Sequence, residues 1–173
     1  MRKMIIGIVS LLAVIVAAEP AAAATGGGWV PAPSSPWEVP AGARCDFPVR
    51  AEPVVDEVRT RVFERYPDGS TKREAYVGDL VLKVTNVASG ASVEVDLSGS
   101  AMVKIAQGGT VVSDSVWAVV GPALFGFREG GGNRPRGIYV FDGLYTIAFD
   151  AASYKTVTMY HGTERELCAE LSR

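Results

Sequence analysis

The sequence contains one histidine and two cysteines, which leaves little room for metal or nucleophile chemistry. Zinc and copper sites draw on several His or Cys side chains, and the GxSxG, HExxH, P-loop and EF-hand patterns are all missing from the sequence. We therefore predict no metal, no cofactor and no catalytic residue. His161 is expected at a strand end or rim, and the alternative is an acid or base in a Ser-His-Asp arrangement.

Paired carboxylates could support a second kind of chemistry, as in glycoside hydrolysis. The candidates are Asp79, Glu94, Asp96, Asp142 and Asp150. Each occupies a turn or the outward position of an alternating strand, which predicts a solvated or turn-forming role. The enzymatic alternative is a hydrolase or isomerase whose site, built on His161 or a buried carboxylate, lies inside the fold.

Aromatic and polar residues between positions 117 and 139 predict a ligand-binding site. Its predicted members are Trp117, Phe125, Phe127, Arg128, Asn133, Arg134, Arg136 and Tyr139. Aromatic side chains with a few converging polar groups are typical of small-molecule pockets, and arginines at the mouth would clamp a carboxylate or phosphate. The alternative is that the aromatics fill the core and residues 128–137 form a surface loop.

Alternating apolar and polar residues predict the strands that would position these side chains. Residues 79–98 show this alternation on both sides of a Gly-containing connection, which is typical of an antiparallel hairpin. Gly78 is expected to bend a long strand, and Asp142-Gly143 predicts a tight hairpin turn.

The fold class predicted from this pattern is all-β. We expect about 9–11 strands in an antiparallel meander, because the connections are too short for parallel crossovers. A closed β-barrel is favoured over a β-sandwich, since closure leaves no exposed edges.

The first 43 residues divide into two segments that precede this domain. Residues 1–24 combine Arg2 and Lys3 with an apolar run and an alanine-rich end, which predicts a cleaved secretory signal peptide; the alternative is a retained membrane anchor. Residues 25–43 are rich in Gly and Pro and predict a flexible leader. The leader also holds Trp29 and Trp37, which raises the alternative that one of them folds back on the domain or anchors a partner such as a cell-envelope component. The single β domain is expected over residues 44–173.

The cysteines, Cys45 and Cys168, both lie in the exported part, where an oxidising compartment favours one intramolecular disulfide. Without a CxxC spacing, nothing indicates a redox-active thiol. The net charge of −2 gives no electrostatic reason to expect nucleic acid as a partner.

Several segments resemble a group of small, uncharacterised secreted proteins of actinobacteria. The segments are Cys45-Asp-Phe-Pro-Val, Tyr66-Pro-Asp-Gly-Ser, Gly78-Asp-Leu-Val-Leu-Lys-Val-Thr-Asn, Val95-Asp-Leu-Ser-Gly-Ser and Glu166-Leu-Cys-Ala-Glu-Leu. The resemblance covers residues 45–171. It implies export, an all-β domain and a paired cysteine at each end, and it implies no activity.

Together these features predict a secreted, non-catalytic β-barrel that binds a small amphipathic or anionic molecule. We expect a monomer with no stable membrane insertion after signal cleavage. The partner would be a small molecule or an envelope component.

Overall fold

The computed structural model describes residues 27–173, and the predicted signal peptide lies outside the described residues. These residues form twelve strands and one short helix. The elements are β1 (Val30–Pro31), β2 (Trp37–Val39), β3 (Val49–Asp56), β4 (Arg59–Arg65), β5 (Thr71–Val77), β6 (Leu80–Asn86), β7 (Ser92–Asp96), β8 (Ser100–Thr110), β9 (Ser113–Val120), β10 (Ala123–Phe127), β11 (Gly137–Phe149), β12 (Lys155–Glu166) and α1 (Leu167–Leu171). The all-β prediction is confirmed.

The strands form two antiparallel sheets, and across residues 27–173 neither sheet closes on itself. The larger sheet has the order β1-β4-β5-β8-β9-β11-β10, with β12 also paired to β11, and the smaller has the order β2-β3-β6-β7. The closed barrel favoured from the sequence is therefore not found. Closure fails because the hairpin of β6 and β7 pairs with β3 and not with its neighbours in the chain, β5 and β8.

Besides residues 32–36, three short connections carry the chain between the two sheets, at residues 57–58, 78–79 and 97–99. They are joined by backbone hydrogen bonds. The amide of Glu57 donates to the carbonyl oxygen of Asp79 (2.8 Å), and the amide of Leu97 donates to that of Leu80 (2.7 Å). The bend predicted at Gly78 is therefore present, but the single long strand predicted through it is not formed: β5 ends at Val77, and β6 begins at Leu80 in the other sheet.

Gly78 occupies a position in this corner where a side chain would meet both an unfavourable φ and neighbouring backbone. Its φ of +126° is disfavoured for any residue with a Cβ, and a Cβ there would overlap the carbonyl oxygen of Glu57. We expect Gly78→Ala to lower the free energy of unfolding by about 2 kcal/mol, measured by urea denaturation. The matched control is Gly69→Ala, which has a positive φ in open space and should cost about 1 kcal/mol. Equal losses would show that the overlap is relieved at no cost.

The segment expected to be a flexible leader is part of the folded domain from residue 27 onward. Val30 and Pro31 pair with Thr60 and Arg59 of the larger sheet, while Trp37–Val39 pairs with β3 of the smaller sheet. Proline is tolerated here because both strands lie at sheet edges. The prediction of a flexible leader and a domain starting at residue 44 is therefore wrong for residues 27–43.

Buried apolar side chains form two separate clusters instead of one continuous core. The first joins the smaller sheet to α1 and to Ile138 and Val140 of β11, and the second is a mainly aromatic cluster on β9, β10, β11 and β12. The predicted disulfide between Cys45 and Cys168 is present, with a Cα–Cα distance of 5.4 Å, and it anchors α1 within the first cluster. The space between the two clusters holds the candidate site.

Candidate functional site

A cavity of about 640 Å³ separates the two apolar clusters. The smaller sheet contributes Trp37 and aliphatic side chains such as Leu82 to its wall. The larger sheet contributes aliphatic side chains and an aromatic wall formed by Tyr76, Trp117, Phe125 and Phe149. Several lining positions carry small residues, including Ala101 and Ala123. The facing side chains therefore do not fill the space between the sheets, and an opening large enough for a small molecule remains.

The aromatic wall is held in place by contacts among its own rings. Trp117 stacks on Tyr76 at a centroid distance of 5.9 Å and an angle of 4°, and it meets Phe125 edge-on at 6.0 Å. Its indole Nε1 donates a hydrogen bond to the carbonyl oxygen of Val111 (2.6 Å). Because the polar atom of the indole is satisfied by the backbone, the wall offers the cavity mainly apolar ring surface.

Tyr76 is tied to a buried carboxylate behind the wall. Its hydroxyl donates to Oε1 of Glu74 (2.6 Å), and Glu74 is 7% exposed. Burial, followed by this hydrogen bond and the charge of Glu74, raises the pKa of Tyr76. Tyr76 therefore stays protonated over the physiological pH range and acts as a fixed hydrogen-bond donor.

Two cationic side chains, Arg44 and Lys155, line the same cavity. Neither has a carboxylate partner within 4.0 Å among residues 27–173, and the same is true of the neighbouring Arg128. Burial lowers the pKa of Lys155, and the charges of Arg44 and Arg128 lower it further. The pKa of Arg44 is lowered in the same way, by burial and then by Arg128. This part of the cavity therefore carries uncompensated positive charge.

Arg44 reaches the cavity because position 126 has no side chain. A Cβ on Gly126 would lie 2.8 Å from Nε of Arg44 and 3.1 Å from its Cδ, so the arginine side chain crosses β10 at this glycine. The next residue, Cys45, is fixed by the disulfide, and Sγ of Cys168 lies 3.7 Å from the carbonyl oxygen of Arg44. Both ends of the arginine are thus positioned by the fold.

Lys155 is positioned by the long loop between β10 and β11. Its amide donates to the carbonyl oxygen of Gly131 (3.0 Å), and its own carbonyl accepts from the amide of Asn133 (3.1 Å). The Asn133 side chain also pairs with both backbone groups of Val157, at 2.7 and 2.9 Å. Nζ of Lys155 lies 5.4 Å from the centre of the Phe149 ring, a cavity-lining side chain.

Residues 32–35 run along the cavity between β1 and β2. Because β1 belongs to the larger sheet and β2 to the smaller, this segment bridges the two sheets. The amide of Ser34 donates to Oδ2 of Asp56 (2.6 Å), and the amide of Ala32 donates to the carbonyl oxygen of Val58 (2.9 Å). Trp37 lines the cavity, and Trp29 packs edge-on against Phe63, as in the alternative in which a leader tryptophan folds back on the domain.

Only two of the eight residues predicted for the site line the cavity, Trp117 and Phe125. Phe127 and Tyr139 belong to the buried aromatic cluster, and Asn133 serves the loop, as described above. The predicted arginine clamp is not formed. Arg134 pairs with Glu164 (2.9 Å), Arg136 pairs with Asp46, and Arg128 donates to the carbonyl oxygen of Ala152.

The other predicted chemical groups also lie away from the cavity. His161 is exposed on β12, and Asp96 and Asp150 accept backbone hydrogen bonds in turns. Sequence reasoning missed Glu74, the sole acidic side chain among residues 27–173 that is buried. It also missed Arg44 and Lys155. Gly126, between Phe125 and Phe127, could have indicated that a side chain from elsewhere in the chain packs against β10, since a glycine in a strand leaves room for a close neighbour.

No cluster of three His, Cys, Asp or Glu side chains with metal-binding spacing occurs within residues 27–173. Over the same residues, no helix has the length and apolar character needed to cross a bilayer. Comparison of the chain with protein-family models, with curated proteins and with solved structures gives no match.

Proposed function

We propose that the chain is an exported, non-catalytic binding module that holds a small amphipathic molecule in the cavity between its two sheets. The observation that carries the proposal is a cavity of about 640 Å³ between the two sheets that is lined mainly by aromatic and aliphatic side chains. Small-molecule sites typically enclose about 300–1,000 Å³ and are lined mainly by apolar side chains with few polar groups. The cavity has both properties.

Binding without chemistry is favoured because the hydroxyl that is paired with a carboxylate at the cavity, among residues 27–173, is that of Tyr76. The raised pKa of this phenol makes it a weak acid near neutral pH. The enzymatic alternative rests on Glu74, whose partner is the neutral Tyr76 hydroxyl. Export is supported by the disulfide, because such bonds persist in oxidising compartments.

The proposal is tested by filling the cavity. Ala101 lines it, and Ala118 lies exposed on the opposite face of the same sheet. With N-phenyl-1-naphthylamine as a neutral fluorescent probe, we expect saturable fluorescence enhancement in the parent protein. Ala101→Phe should weaken probe binding at least about tenfold, since a steric block costs about 1.4 kcal/mol or more, and Ala118→Phe should leave it unchanged.

The Ala118→Phe control separates the cavity from the exposed apolar residues around it. Met102, Val120 and Leu144 lie near Ala118 on the outer face, where they are 39%, 62% and 46% exposed. If the probe bound this face, Ala118→Phe would strengthen binding and Ala101→Phe would have no effect. That pattern, or an absence of binding to the parent protein, would refute the proposal.

A further inference from the structure

The cavity combines apolar walls with positive charge that no carboxylate among residues 27–173 offsets. Arg44 and Lys155 both line it, and the nearest ion pairs of the neighbouring loop, Arg134 with Glu164 and Arg136 with Asp46, use other arginines. A charge removed from water is costly unless it is paired. The fold nevertheless holds two like charges together where they line an apolar space.

We propose that the ligand is an apolar molecule with one anionic headgroup, a carboxylate or a phosphate monoester, held by Arg44 and Lys155. This inference rests on the proposed function and specifies its ligand class. The headgroup accepts hydrogen bonds from the guanidinium and the ammonium, and the apolar body lies against Trp117, Phe125 and the aliphatic wall. Arginine suits such a headgroup because its planar donors match two carboxylate or phosphate oxygens at once.

Specific features of the fold hold the two cations at the cavity. Arg44 depends on the missing side chain at Gly126, and Lys155 depends on the backbone hydrogen bonds that its amide donates to Gly131 and its carbonyl accepts from Asn133. Burial disfavours the charged form of both side chains in the free protein, and repulsion by Arg128 adds to this for both, with Arg44 also acting on Lys155. An anion would relieve that repulsion, whereas a neutral or cationic ligand would not. The expected order of affinity is therefore anionic, then neutral, then cationic.

The inference is tested by displacement of N-phenyl-1-naphthylamine with ligands that share a twelve-carbon chain. Dodecanoate and dodecyl phosphate should displace the probe at concentrations at least about tenfold below dodecanol, because a charge-assisted hydrogen bond contributes about 1.5–3 kcal/mol. Dodecyltrimethylammonium should be weaker than dodecanol. The two anionic ligands distinguish a carboxylate preference from a phosphate preference.

Three variants connect the preference to the named residues. Arg44→Met and Lys155→Met should each reduce the advantage of dodecanoate over dodecanol about tenfold. Gly126→Ala should do the same without changing any charge, because its Cβ displaces the Arg44 side chain, and its φ lies outside the left-handed region. The control Lys104→Met removes an exposed charge of the larger sheet and should have no effect.

Folding of the variants is checked through their melting temperatures. Burial and neighbouring cations disfavour the charge of Lys155, so Lys155→Met should not lower the melting temperature of the free protein. If the probe binds but dodecanol competes as well as dodecanoate, the headgroup inference is refuted and the binding function stands. If neither the probe nor any twelve-carbon ligand binds, both proposals are refuted.

Discussion

Replacing both cysteines with alanine is expected to lower the free energy of unfolding by up to about 5 kcal/mol. Cys45 and Cys168 are separated by 123 positions, and in the chain-entropy model a loop of this size gives a stabilisation of about that magnitude. Cys45 is 2% exposed and belongs to the cluster that also includes Leu167 and Leu171 of α1. Loss of the bridge therefore both expands the unfolded ensemble and frees α1. Urea denaturation of the oxidised parent and the double variant measures the difference.

Reduction provides the matched control for this experiment. A reductant should destabilise the parent protein by a similar amount and leave the Cys45→Ala/Cys168→Ala variant unchanged. Since Arg44 precedes Cys45, the reduced parent should also lose part of its preference for dodecanoate over dodecanol. A loss of stability below about 1 kcal/mol would show that packing of α1 alone fixes the C-terminus.

The parts of the fold that could be predicted from the sequence depend on local patterning and on the cysteine count. Leu80–Asn86 and Ser92–Asp96 pair as the alternation indicates, because one face of each strand packs on the core. The disulfide follows from an even number of cysteines in an exported chain. The hairpin is determined by a pattern within a few neighbouring residues, and two cysteines allow only one intramolecular pairing.

Strand partners could not be predicted in the same way. Period-two alternation specifies which face of a strand is buried and does not specify its neighbour, so the choice between one closed sheet and two open sheets stayed undetermined. Asp142-Gly143, interpreted as a hairpin turn, lies inside the continuous strand β11. There Gly143 pairs with Gly162, and a Cβ on either residue would overlap the backbone of the opposite strand. Gly143 therefore allows two neighbouring strands to approach closely and does not form a turn.

The aromatic residues of the site could be predicted from the sequence, but its cationic residues could not. Trp117 and Phe125 stood out by residue type, but an arginine's availability for a ligand depends on acids that are distant in sequence. Glu164 and Asp46 pair with Arg134 and Arg136. Arg44 and Lys155 stay unpaired among the described residues and meet only through tertiary structure. Residue type thus predicted the apolar wall, whereas the charges that remain unpaired at the cavity depend on which residues the tertiary fold brings together.

Tyr145→Phe is expected to reverse its effect on stability between neutral and alkaline pH. Tyr145 is fully buried in the aromatic cluster, and its hydroxyl makes one long hydrogen bond, 3.4 Å, to the carbonyl oxygen of Phe141. At pH 7 we therefore expect Tyr145→Phe to lose no more than about 1 kcal/mol. Burial, followed by the charges of Asp142 and Tyr160, raises the pKa of Tyr145 in the folded state.

The raised pKa of Tyr145 makes the folded state lose stability as pH increases. The unfolded tyrosine ionises near pH 10, whereas the buried one stays protonated, so above that pH the unfolded chain binds fewer protons. The contribution to stability is therefore complete below about pH 10 and falls by about 1.4 kcal/mol for each further pH unit. The parent should therefore lose stability at this residue as the pH rises above about 10, a loss that Tyr145→Phe avoids.

Guanidinium denaturation at pH 7, 9, 11 and 12 measures the expected crossover between the parent and Tyr145→Phe. Ile147→Val is the matched control, because it removes a methyl group from the same cluster at a cost of about 1 kcal/mol and carries no titratable group. Its loss should be the same at every pH, whereas Tyr145→Phe should be less stable than the parent at pH 7 and more stable at pH 12. Parallel curves for all three proteins would mean that the Tyr145 hydroxyl reaches water in the folded state, and that the aromatic cluster beside the cavity is open to solvent.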